Sequence, residues 1–102
     1  MCGIAGVIQT APDRRAPSLY QSALLDSLHH RGPDSQGSWH NEAGNLSLLH
    51  RRLAIQDISP AGHQPMSSSS GRFVIAFNGE IYNHPEWMPK LEARGHRYRG
   101  RS

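Results

Sequence analysis

One cysteine, Cys2, is the whole thiol content of these 102 residues. A single cysteine forms no internal disulfide, which excludes a small secreted scaffold held together by bridges. Long apolar runs are missing too. The stretch 4–8 is too short for the core of a secretory leader, and nothing approaches a membrane span. The expectation is a cytoplasmic protein with no membrane partner. Charge is sparse: 19% of the residues are charged, too few for a disordered polyelectrolyte, while 36% are hydrophobic, enough for a globular core. The length serves one domain. His29, His30, His50, His63 and His84 show no metal-ligand spacing with the cysteine or with a second histidine on one helix face, so no metal is expected. Phosphate-loop and dinucleotide fingerprints are also lacking, so no cofactor is expected in this chain.

What charge there is lies unevenly. The net charge is +3, and residues 90–102 hold Lys90, Arg94, Arg97, Arg99 and Arg101 against only Glu92. Such an end could hold RNA by charge and stacking. It could equally be a solvated end, or the start of sequence that continues. The second reading makes nucleic acid an unlikely partner, and it is preferred here.

Periodicity predicts a strand over 3–9, then a proline-containing loop over 11–17. Ser18 and Gln21 match a capping box that would open a helix. Leu24, Leu25 and Leu28 recur at helical spacing, and the helix should stop near His30, with Gly32 taking the left-handed conformation behind it. Strands are expected over 36–40 and 46–57, joined by the turn-rich "NEAGN". Residues 59–72 read as a loop. The apolar run 73–77 reads as a buried strand, and 80–82 as its continuation beyond Asn78-Gly79. Asn83 would cap a last helix through Ala93, with Gly95 behind it. The order β-α-β-β-β-β-α predicts an α+β layered domain.

Cys2 carries a specific chemical option. Aminopeptidases remove an initiator methionine that precedes a small side chain. The product would bear a free α-amine and a thiol on one residue. An α-amine titrates at roughly 7.7–8.0, so it can take the thiol proton and make residue 2 both nucleophile and base. The plainer reading makes Cys2 a small hydrophobe at the start of a strand. Asn78-Gly79 also has two readings. It is a strong hairpin signal, and a turn there aims an amide side chain and a backbone N–H outward, as an oxyanion site needs. Arg52 is either a solvated strand arginine or a fork for a carboxylate. Arg51 should point to the opposite face of the strand.

Four stretches in order, "HRGPD", "RLAIQD", "QPM" and "FNGEIYN", follow "MCGIAG". With them the chain resembles the N-terminal glutaminase domain of glutamine-dependent asparagine synthetases. These are class II glutamine amidotransferases among the N-terminal nucleophile hydrolases. The resemblance runs over residues 1–98. It implies an α+β fold that is part of a four-layer α-β-β-α sandwich of two antiparallel sheets. It implies hydrolysis of the L-glutamine side-chain amide through a thioester on Cys2, with Asn78 and Gly79 at the oxyanion. It further implies substrate contacts from Arg52, from the backbone at Leu53 and Ile55, and from Glu80. Residues 1–102 would be the N-terminal portion of the amidotransferase domain, inactive by itself. The rest of that domain would lie outside the chain, including an acidic residue that holds the glutamine amine. So would a synthetase domain using ATP and Mg, and the full-length protein would be a homodimer. The competing reading is a non-catalytic fragment or binding module that works through its basic C-terminal end.

Overall fold

The computed structural model describes residues 1–10 and 17–100. The loop expected over 11–17 lies, apart from Pro17, outside them, as do Arg101 and Ser102. Among the described residues five strands and two α-helices follow in chain order: β1 (Gly3–Ile8), α1 (Gln21–Ser27), β2 (Ser35–His40), β3 (Leu46–Arg52), β4 (Met66–Ser67), β5 (Val74–Ile75) and α2 (His84–Glu92). Two antiparallel sheets result, one of three strands in the order β1-β3-β2 and one of β4 and β5. The class is α+β, as the strand and helix order predicts.

Alternation builds the first sheet. Gly3 pairs with Arg51 and Ile8 with Leu46, while Ser35 pairs with Arg52 and His40 with Ser47. Side chains alternate across a strand, so Ser47, Leu49 and Arg51 share one face of β3, and Leu48, His50 and Arg52 share the other. The first face is packed under α1, whose Leu25 is buried, and Leu49 is 0% exposed. Burying one such leucine contributes about 1.5–3 kcal/mol. Gly3 lies beneath Leu28, and a Cβ there would meet the Leu28 side chain at 3.0 Å. Arg51 belongs to this buried face and donates from Nη1 to Gln36 Oε1 at 2.6 Å. The opposed directions expected of Arg51 and Arg52 are observed.

Several local expectations need correction. Ser18 does not cap a helix. A 3-10 turn, Pro17–Tyr20, precedes α1, and no side chain caps the helix start. Gln21 does not reach back either, because its Oε1 accepts from His40 Nε2 at 3.0 Å across to β2. A tertiary partner has taken the group that a capping box would use. Gly32 has no positive φ. It is glycine because the chain passes directly over β3, where a Cβ would run into the Arg51 backbone.

The second half departs further. The expected buried strand over 73–77 contracts to Val74–Ile75, and Phe73, Ile75 and Phe77 are exposed. The strand over 80–82 is absent, and Tyr82 is 90% exposed. β5 finds its partner instead in β4, inside the expected loop 59–72. Asn78-Gly79 is a bend without positive φ rather than a hairpin turn, since no strand follows for it to join. Asn83 stands at the N-cap of α2 without a side-chain bond. The far end follows expectation, with Gly95 at φ +87° and His96 N–H donating to Leu91 O at 3.0 Å.

The basic end is not a free tail as far as residue 100. Arg99 donates from its guanidinium to the Ser67 carbonyl on β4. Among the described residues no helix is long and apolar enough to cross a membrane.

Candidate active site

Cys2 stands at the mouth of the three-stranded sheet, immediately before β1. Strand pairing brings it opposite the end of β3, and its Sγ meets the backbone just beyond. The Leu53 N–H donates to Sγ at 3.3 Å, and the thiol lies 3.7 Å from the Leu53 carbonyl oxygen. A backbone N–H and a backbone carbonyl of one residue therefore both face the sulfur. Arg31 secures the backbone of the same residue, donating from Nε to Cys2 O at 3.1 Å. Asp34 ties the strip beside it: its N–H donates to Arg52 O at 3.1 Å, and its Oδ2 accepts from Ala54 N–H at 2.8 Å. The "HRGPD" stretch thereby braces both sides of the cysteine.

Arg52 turns to the face opposite α1. Its Nη1 donates to the Ser59 carbonyl at 2.8 Å and its Nη2 to the Asp57 carbonyl. Gly62 leaves room for it, since a Cβ there would strike the guanidinium. A guanidinium has more N–H donors than these two bonds use, so the plane is held while donors remain for a carboxylate. Ile55 is exposed, and Glu80 accepts at Oε1 from Gln56 Nε2 at 2.6 Å. Asn78 is half-buried and Gly79 exposed, with the Phe77 ring against Gly79.

Cys2, Leu53 and Arg52 are thus gathered at one end of β3. Asn78, Gly79 and Glu80 are attached to that end through other residues. His50 links Nε2 to the Phe77 carbonyl at 3.3 Å, and Gln56 holds Glu80. His50 is 1% exposed. Burial pushes its pKa below 6.5; the bond to Phe77 opposes that, and the charges of His63 and Arg52 add to it. The ring is therefore neutral at neutral pH, and because a carbonyl only accepts, its hydrogen sits on Nε2. The resemblance put the stretch from Arg31 to Asp34 in structural support near Cys2, whereas sequence reading missed His50 and Gln56 as members of this cluster. The available signal was alternation, which places His50 on the Arg52 face of β3.

Comparison with known proteins gives the family. A family model described as a glutamine amidotransferase domain matches residues 1–102. The chain is 40% identical over 100 residues to asparagine synthetase [glutamine-hydrolyzing] 1 of Arabidopsis thaliana, covering 97% of this chain and 16% of that protein. It is 39% identical over 102 residues to asparagine synthetase [glutamine-hydrolyzing] 1 of Bacillus subtilis, covering 96% and 15%. It is 35% identical over 100 residues to amidase chry2 of Gibberella zeae, covering 89% and 15%. The chain therefore spans about a sixth of the length of these curated relatives. No solved structure matches. This chain belongs to the glutamine amidotransferase domain family.

Proposed function

We propose that this chain is the glutaminase part of a glutamine-dependent asparagine synthetase and hydrolyses the side-chain amide of L-glutamine through Cys2. The observation that carries the reading is the Cys2 sulfur, set against the Leu53 N–H at the end of the central strand of an amidotransferase domain. The two relatives named as asparagine synthetases favour that product over the one named as an amidase.

In this reading Met1, which is 74% exposed, is removed, and the freed α-amine takes the Cys2 thiol proton. The sulfur attacks the amide carbon, and the carbonyl electron pair moves to oxygen. The Asn78 side-chain N–H and the Gly79 backbone N–H hold that oxyanion, at about 3 kcal/mol per donor. On collapse the C–N bond breaks and the protonated amine gives its hydrogen to the leaving nitrogen. Ammonia departs and a thioester remains on Cys2. A water that gives its proton to the same amine then attacks the thioester, releasing glutamate and restoring the thiol. Arg52 forks onto the substrate α-carboxylate. The backbone at Leu53 and Ile55 and the Glu80 carboxylate complete the grip. The sheet β1-β3-β2 with α1 forms one outer pair of layers in a four-layer α-β-β-α sandwich. ATP and Mg belong to a synthetase domain of the same protein that consumes the ammonia, and no residue of this chain is assigned to them.

The test uses the intact protein. Cys2→Ala should abolish glutamine hydrolysis and leave synthesis from added ammonia in place. Mass spectrometry should find Met1 missing from active protein. Glutamine turnover near the wild-type rate in Cys2→Ala would make Cys2 a packing residue.

A further inference from the structure

Behind the oxyanion pair, the segment from Ala76 to Glu80 belongs to no strand, so no ladder fixes its backbone. Backbone polar groups still need partners, and at Phe77 both come from side chains. The Phe77 N–H donates to Gln64 Oε1 at 2.6 Å, and the Phe77 carbonyl accepts from His50 Nε2 at 3.3 Å. The two side chains come from separate parts of the fold. His50 is a buried residue of the central strand. Gln64 is seated on β2 at Gly37, where a Cβ would run into the Gln64 carbonyl. Phe77 is therefore clamped at donor and acceptor alike, one residue before Asn78.

We infer that His50 and Gln64 are positioning residues for the oxyanion pair, which they hold by fixing both backbone groups of Phe77. This rests on the role given above to Asn78 and Gly79. Donors to an oxyanion act through being held in place before charge develops, and a misplacement of about 1 Å costs on the order of a hundredfold in rate. A free bend after a two-residue strand would not supply that stiffness. The clamp transfers it from β3 and β2. His50 and Gln64 touch no reacting atom in this scheme. Their loss should lower kcat and leave the glutamine KM nearly unchanged, because the oxyanion exists only after substrate is bound.

The experiment compares paired variants of the intact protein in glutamine hydrolysis. His50→Met removes the N–H, and His50→Gln restores one at a similar reach. Gln64→Met removes the acceptor, and Gln64→Glu keeps one. Each methionine variant should lose about ten- to a hundredfold in kcat with little change in KM, and His50→Gln and Gln64→Glu should recover most of it. Alkylation of Cys2 by iodoacetamide, which forms no oxyanion, should proceed at the wild-type rate in all four. Wild-type kcat in both methionine variants would overturn the inference. So would equal damage in His50→Met and His50→Gln, since the residue would then matter for its bulk. Failure of the underlying reading shows separately, as glutamine hydrolysis that survives Cys2→Ala.

Discussion

The two halves of this chain carry apolar residues in similar abundance and use them differently. In residues 3–52 three strands of six or seven residues pair over their whole length, and α1 closes one face. In residues 60–100 the two strands have two residues each, and α2 buries none of its nine. Phe73, Ile81, Tyr82 and Trp87 face outward there. An apolar run becomes core only when a second surface covers it. β3 has α1 above it, while β5 pairs with β4 along one edge and leaves Phe73 and Ile75 exposed. The site sits on the seam. Cys2, the proposed nucleophile, belongs to the well-packed half, while Asn78 and Gly79, the proposed oxyanion pair, belong to the open half and follow Phe77, which is bonded to His50 of the first.

That contrast can be broken most severely at Leu49. Leu49→Ala should destabilise the protein by about 2–5 kcal/mol, read from the midpoint and slope of a urea unfolding curve. A change below about 1 kcal/mol would mean that the α1 face is not the core. Gly37→Ala should act at the seam. The added Cβ must push Gln64 away, which should lower glutamine kcat by about tenfold through the loss of its bond to Phe77. Replacement without effect on kcat would show that the 63–64 loop relaxes freely.

Acid should weaken the same region by a smaller amount. His50 has its folded pKa below 6.5, so between that value and 6.5 the unfolded chain binds the extra proton and stability rises with pH. Lowering pH from 7 through 6.5 should therefore reduce the unfolding free energy, until the folded pKa is passed. Subtracting the curve of His50→Gln from that of wild type isolates this contribution, and identical curves would refute it. The smallest effect belongs to the open half. Trp87→Ala removes a ring that is half exposed and carries Lys90 Nζ over it, 4.8 Å from its centroid. A contact of that kind is worth about 0.5–1 kcal/mol, so the unfolding midpoint should scarcely move.

Much of this was open to a reader of the residues alone, and the exceptions share a cause. Strand β2 and the hairpin into β3 followed from alternation around "NEAGN", where the Asn41 side chain accepts from the Asn45 and Leu46 N–H groups and Gly44 takes φ +71°. The opposed faces of Arg51 and Arg52 followed from the same period of two. Ser18 and Gln21 misled because a capping box is a local bargain, and His40, nineteen residues away, outbid it. The run 73–77 misled because a sequence records how apolar a segment is and says nothing of what lies across from it.

The candidate site divides along the same line. Cys2, the Asn78-Gly79 pair and the arginine before "LAI" were visible in the letters as candidates, because only certain groups can attack, donate or fork. That Leu53 meets the sulfur, that Arg31 holds the Cys2 carbonyl and that His50 and Gln64 seize the two sides of Phe77 was decided in three dimensions. Those partners are separated by 51, 29, 27 and 13 positions along the chain, and it takes the pairing of β1 and β2 with β3, and of β4 with β5, to bring them within hydrogen-bond reach.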